Sequence, residues 1–295
     1  MATRPAIAGK GARAFAALSL SPPTTRWLVR FGYDGLAFHG WARQPGLRTV
    51  EGEVLRGLVR SGIVPSVAGA RLEVASRTDR GVSAVGNALA LSTDRTGPIL
   101  LRALNGISPE IFFTAAAPLP EGVRVRGAVR RVYRYFEPVG KHELARWQTT
   151  AGLFSGTLDV RSLGRGLPSG APVWRTVESV RVEQQEEVML VEIRAPSFVW
   201  GMVRKIVGAL RAVDQGKLSL TRLSSALAGQ GRLTLPMAEP ERLLLWDVEY
   251  PFPWSLHWHG PNRHQTRVWS SSREALTLRA KLLDAIARGQ GPAEL

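Results

Sequence analysis

The segment Ala75-Ser76-Arg77-Thr78-Asp79-Arg80-Gly81-Val82 is the most polar, least core-like turn in the sequence. It sets one carboxylate between two guanidinium groups, Arg77 and Arg80. Two readings compete. An Asp-Arg-Gly stretch is an ordinary surface turn, because Asp and Gly adopt turn conformations at little cost. A carboxylate delivered by strand ends into a cationic setting is also a candidate nucleophile facing a bound polyanion. Composition alone favours the turn.

Other chemistries are harder to build from this chain. With no cysteine, disulfide frameworks, thiolate zinc sites, thiol nucleophiles and thiolate-held clusters are excluded. His257, His259 and His264 lie close together around Trp258. No Cys or carboxylate completes a ligand set there, and His257 and His259 alternate as on a strand, so the segment reads as structural and no metal is expected.

The partner is suggested by charge. There are 39 Lys and Arg against 24 Asp and Glu, a formal net charge of +15, and such a field draws phosphates from a distance. Nucleic acid is the first partner to consider. An anionic membrane ranks below it, because no basic amphipathic helix carries a large aromatic face. The longest apolar stretch, 198–213, is broken by Arg204, Lys205 and Arg211, which argues against a bilayer span. A soluble, cytoplasmic protein is expected.

These residues need a scaffold. At 295 residues the chain is long enough for two domains. The first acidic residue is Asp34; the segment before residue 26 reads as a disordered basic tail rather than a targeting peptide, its apolar part being short and interrupted by Ser19. Trp27, Val29, Phe31 and Tyr33 alternate as on a strand. Thr49 can cap a helix bearing Val50, Val54 and Leu58 on one face. Short strands are expected at 71–75 and 85–93, and another at 131–137 with Tyr133 and Tyr135 on one face and Arg134 opposed. The stretch 140–172 is weakly patterned. Beyond it come a hairpin (177–183 and 188–195), a helix over 198–214 with its stripe Phe198, Met202, Ile206, Leu210 and Val213, a helix over 218–228 and a strand over 242–250. In the tail, Trp254, Trp258 and Trp269 precede or flank a helix that Ser271 and Glu274 would open as a capping box. This order favours α+β, with sheets covered by helices, over a doubly wound parallel sheet.

Five segments in order resemble the TruA-like tRNA pseudouridine synthases. Arg77-Thr78-Asp79-Arg80-Gly81-Val82 is similar to the family's active-site signature. Phe31-Gly32-Tyr33-Asp34-Gly35 with Phe38-His39-Gly40-Trp41, followed by Thr49-Val50-Glu51, resembles its opening strand, loop and helix. Arg131-Val132-Tyr133-Arg134-Tyr135 resembles the strand carrying an active-site tyrosine. Phe198 with Met202-Val203-Arg204-Lys205-Ile206-Val207-Gly208 resembles the helix supplying a basic partner to the aspartate, and Leu235-Pro236-Met237-Ala238 to Leu245 resembles the closing loop and strand.

The resemblance implies an isomerase that converts uridine to pseudouridine in the anticodon stem-loop of tRNA, at positions 38–40, without a cofactor. It implies a pseudouridine synthase fold: two similar sheet-bearing subdomains, 26–139 and 140–250, helices on one face, a central RNA-binding cleft, and an extension at 251–295. It implies a homodimer. Asp79 is then the catalytic carboxylate, Arg204 its electrostatic partner, and Tyr133 the ring against the base with its hydroxyl near C5 as a candidate proton acceptor; spacing alone does not separate Tyr133 from Tyr135. An Asp under a stacked base is driven toward its neutral form by desolvation, which a nearby guanidinium opposes. Arg77 is a wedge for the space left by a flipped nucleotide or a phosphate contact. Arg43, Arg80, Lys205 and Arg211 are candidate phosphate contacts.

Two rival readings remain at this point. A non-catalytic RNA-binding protein or RNA chaperone would bind tRNA without isomerising it. A carboxylate-dependent nucleoside hydrolase would need a second acid or a metal to activate water.

Overall fold

The strand expected at 27–33 runs from Thr25 to Tyr33 (β1). Trp27, Val29, Phe31 and Tyr33 are buried along it, and so is Leu28, because β1 is an interior strand with both faces covered. The computed structural model describes residues 24–167, 170, 173–257, 260, 263–273 and 276. The expected basic tail lies outside the described residues apart from Thr24 and Thr25.

Thr49 opens α1 (Val50–Arg60), its Oγ1 accepting the Gly52 N–H at 3.3 Å, and Val50, Val54 and Leu58 are all buried. The polar turn is flanked by β2 (Glu73–Val74) and β3 (Ser83–Thr93). Then come α2 (Gly97–Leu104) and β4 (Ile111–Pro118). Neither has a clean period, since α2 is apolar almost throughout and β4 contains three successive alanines. β5 (Arg130–Pro138) follows. The weakly patterned middle holds α3 (Leu144–Gly152), β6 (Gly156–Asp159) and β7 (Trp174–Val177). The hairpin is β8 (Ser179–Gln185) and β9 (Val188–Ala195).

The best helix is shorter than its apolar stripe. α4 spans Met202–Asp214, and Phe198 lies before it. Gly201, at the N-cap, adopts φ 79°, a left-handed conformation that suits glycine and turns the chain sharply into the helix. α5 (Leu220–Leu227), β10 (Leu243–Glu249) and β11 (Leu256–His257) complete the order. Residues 263–273 are helical. Ser271 therefore sits inside this helix instead of opening it, and Glu274 lies outside the described residues.

The class is α+β, as expected. Among the described residues nine strands form one sheet in the order β11-β4-β1-β3-β10-β5-β9-β8, with β2 beside β3; β6 and β7 pair separately. All its pairings are antiparallel except β3 with β10. β10 therefore enters from late in the chain between β3 and β5. Phe113 stacks on Phe31 whereas its neighbour Phe112 meets Trp269, so Trp269 packs on the sheet face opposite the one that Phe31 covers. The Trp269 indole also donates to the Pro109 carbonyl at 3.0 Å. Trp254 packs edge-on to Tyr250, while Trp258 and His259 lie outside the described residues. Among the described residues no helix is long and apolar enough to cross a membrane.

Candidate active site

The turn between β2 and β3 is pinned on every side. Ala75 N–H donates to the Ala88 carbonyl at 2.8 Å, and Asn87 Nδ2 donates to the Ser76 carbonyl at 2.9 Å. Trp41 N–H reaches the Thr78 carbonyl at 3.1 Å. The buried Tyr33 hydroxyl lies 2.7 Å from Thr78 Oγ1. Each bond fixes a residue flanking Asp79, and none uses its carboxylate.

Beneath the turn sits a buried cation that pairs with no carboxylate among the described residues. Arg131, only 7% exposed, donates from Nε to Ser76 Oγ at 3.0 Å and from Nη2 to the carbonyls of Ala75 (3.2 Å) and Arg126 (2.8 Å). Its Nη1 donates to the Pro196 carbonyl. Burial lowers its pKa. A desolvated guanidinium is costly unless its donors are satisfied, and here they tie the turn to the segment that leads into α4.

That segment brings Asp79 its partners. Arg204, in the first turn of α4, donates from Nη1 to Asp79 Oδ2 at 3.1 Å and from Nε to the Ala238 carbonyl at 2.7 Å. Ala238 N–H returns a bond to the Arg204 carbonyl at 3.0 Å. This close approach depends on Gly208, where a Cβ would fall 2.0 Å from the Pro236 carbonyl oxygen. The Asp79 side chain retains 27% exposure and that of Arg204 17%, so the pair lies at the floor of an open site. Trp200 Nε1 donates to Asp79 Oδ1 at 2.8 Å.

Around the pair is a cleft of about 920 Å³, lined by the 39–44 loop, the 75–82 turn, Tyr133 and residues 197–204. That volume suits a nucleotide-sized ligand. Tyr133 forms one wall, buttressed by the edge of Phe198 at 5.0 Å between ring centroids. Its phenol is pushed up to about 12 by burial, so it is neutral at physiological pH. Tyr135 lies elsewhere, its hydroxyl donating to Glu239 at 3.0 Å. Geometry thus separates the two tyrosines that spacing left equivalent.

The sequence aligns with relatives over most of its length. It is 38% identical over 228 residues to the tRNA pseudouridine synthase A of Pyrococcus furiosus, covering 76% of this chain and 84% of that one. It is 36% identical to the protein of that name from Thermococcus kodakarensis and 32% identical to that from Methanosphaera stadtmanae, with the same two coverages. The chain belongs to the tRNA pseudouridine synthase family. The family's sequence model, described as tRNA pseudouridine synthase, matches residues 150–251, which hold Trp200, Arg204 and the 235–238 loop but not Asp79.

The five cations expected to meet RNA are in different settings in this family member. Arg77 and Arg80 are exposed and line the cleft. Arg43 adjoins the wall residues Ala42 and Gln44, and its exposed guanidinium lies 3.8 Å from Glu51. Lys205 does not line the cleft; its Nζ donates to the Ser162 and Gly164 carbonyls, each at 3.1 Å, and burial lowers its pKa. Arg211 is likewise turned away, pairing with Glu137 at 2.5 Å and Glu239 at 2.6 Å. Burial alone would lower its pKa, but those carboxylates outweigh it and raise it, so the guanidinium is held in an ion pair away from the cleft lining. The reason lies in the fold: Arg211 is almost two turns beyond Arg204, opposite the far end of β5.

Two residues of the site escape a reading of the sequence. Arg131 shares the strand face of Tyr133 by simple alternation, and an arginine on a core-facing position was the available signal. Trp200 carried none. As for metal, among the described residues no three His, Asp or Glu side chains are grouped to hold an ion.

Proposed function

We propose that this chain isomerises uridine to pseudouridine in the anticodon stem-loop of tRNA, at positions 38–40, with Asp79 as the reacting carboxylate. The observation that supports this most is the pairing of Asp79 with Arg204 on the floor of a nucleotide-sized cleft walled by Tyr133. The reaction breaks the N1–C1′ bond, turns the base and joins C5 to C1′; C5 loses its proton and N1 gains one, so no net redox change or water is involved.

Each group has a task in this reading. Asp79, held through Oδ2 by Arg204, carries the negative charge next to the sugar and base. Arg204 is itself held by the Ala238 carbonyl, so the carboxylate is met by a fixed donor that needs little reorganisation during reaction. Tyr133 packs its ring against the base; as a neutral phenol it is a wall with a polar tip and not a standing base. A uridine in a stem must leave its stack to arrive here, at a cost of about a few kcal/mol. Arg77, exposed in the cleft lining, fills the vacated space or holds phosphate, and Arg80 beside it holds phosphate.

Residues 26–139 supply Asp79 and Tyr133, residues 140–250 supply Arg204, and we take these as the two functional halves. By family analogy the enzyme is a cytoplasmic homodimer, which light scattering during size-exclusion chromatography tests through its mass. The function is tested with unmodified tRNA carrying tritium at uridine C5. Release of tritium to water by the wild type, followed by mapping of the new pseudouridine to the anticodon stem-loop, is the expected result. Binding without release would leave only an RNA-binding protein.

A further inference from the structure

Trp200 is exposed over 57% of its surface although it stands beside the reacting carboxylate. Isolated exposed aromatics need no explanation, and Trp174 and Trp246 are also exposed. Trp200 differs in how its ring is held. Its indole N–H is committed to Asp79 Oδ1 at 2.8 Å. Its backbone carbonyl accepts the Arg165 N–H at 2.9 Å, and the Arg165 guanidinium lies 4.6 Å from the ring centroid. The next residue, Gly201, takes the left-handed turn into α4. The ring is therefore clamped at its edge, its backbone and one face, at the lip of the cleft.

We propose that Trp200 serves the reaction twice: its N–H orients Asp79, and its exposed indole surface stacks a nucleobase adjacent to the extruded uridine. This rests on the reading of Asp79 as the reacting group. The orienting role follows from counting donors. Arg204 holds Oδ2 and Trp200 holds Oδ1, so the plane of the carboxylate is set by two donors from the same segment, while each oxygen keeps a lone pair for substrate. The stacking role follows from chemistry at the lip. Every base has a flat face that an aromatic ring receives without regard to sequence, and adjoining cations retain the backbone; Arg165, Arg77 and Arg80 are all exposed near this ring. A ring already immobilised costs little further entropy on stacking.

The two roles separate in two variants, each examined for tRNA affinity by filter retention and for single-turnover tritium release. Trp200→Phe keeps a flat ring and loses the donor: affinity is expected within about twofold of wild type and the rate constant about tenfold lower or more. Trp200→Ala loses both, so affinity falls about tenfold as well. A Trp200→Phe enzyme that reacts at the wild-type rate overturns the orienting role, and a Trp200→Ala enzyme that binds as tightly as wild type overturns the stacking role. A general structural role would instead lower the urea midpoint of both variants and leave the rate of the folded fraction unchanged. Absence of tritium release from the wild type itself is a different failure, since it removes the isomerase reading along with this one.

Discussion

Asp79 and Arg204 are 125 residues apart in sequence and joined by a 3.1 Å hydrogen bond between Oδ2 and Nη1. One rides on a turn pinned by β1 and β3, the other on the first turn of a helix that a left-handed glycine aims at that turn. The two come together across one sheet that holds both β3 and β9, and Arg131 bonds both the turn, at Ser76, and Pro196 ahead of α4.

Arg204 acts through two bonds, one to Asp79 and one to the Ala238 carbonyl. A lysine has no second donor arm in the same plane and cannot make both. Arg204→Lys and Arg204→Ala are both expected to slow single-turnover tritium release by about 10²–10³-fold, with tRNA affinity reduced far less. A lysine variant at the wild-type rate would show that simple positive charge suffices.

Arg131 gives a stability prediction. Its guanidinium is buried and bonded to Ser76 and to the carbonyls of Ala75, Arg126 and Pro196. Arg131→Met removes the donor from the buried Ser76 hydroxyl and Ala75 carbonyl, while water can reach the Arg126 and Pro196 carbonyls at exposed residues, so urea unfolding should report a loss of about 2 kcal/mol. Activity should fall further than the folded fraction, because Ser76 adjoins the Asp79 turn.

How much of this was visible beforehand depends on how local the signal was. β1, α1 and β9 are legible because an alternating run, a cap before one apolar face and a hairpin partner mark them, although β1 and β9 bury residues of both faces. The apolar stripe of α4 runs on to Phe198, ahead of the helix start; the φ of Gly201 separates them, and a stripe does not report φ. Arg211 looked like another exposed helix cation, but Glu137 and Glu239 reach it from distant parts of the chain. Asp79 stood out through its motif, whereas Trp200 owes its role to a contact across 121 residues that no local pattern encodes.

All four tyrosines of the chain have phenols pushed up by burial: Tyr133 to about 12, and Tyr33, Tyr135 and Tyr250 further still. In the unfolded chain they ionise near the ordinary value of about 10. Between these values the folded state holds more protons than the unfolded one, so stability drops as pH rises. The contribution is complete below about pH 10 and is lost as pH climbs through about 12. Tyrosinate absorbance in an alkaline titration should therefore appear together with unfolding, seen by far-ultraviolet circular dichroism, and not before it. A phenol that titrates near pH 10 in the folded protein would contradict this burial.

With a net charge of +15 and Arg77 and Arg80 exposed at the rim, tRNA binding should weaken steeply with salt through counterion release. Replacing either arginine with Ala should reduce the slope of log affinity against log salt by about 1 if that residue meets a phosphate. Arg211→Ala should leave the slope unchanged and lower stability instead.

The central claim concerns one carboxylate. Asp79→Asn keeps the shape and one acceptor oxygen while removing the charge and setting an NH2 against one of the two donors, so single-turnover release of tritium from C5-labelled tRNA tests it most directly. Affinity for tRNA within a few-fold of wild type and no detectable release are expected; release at the wild-type rate by the Asn enzyme would contradict the role of Asp79.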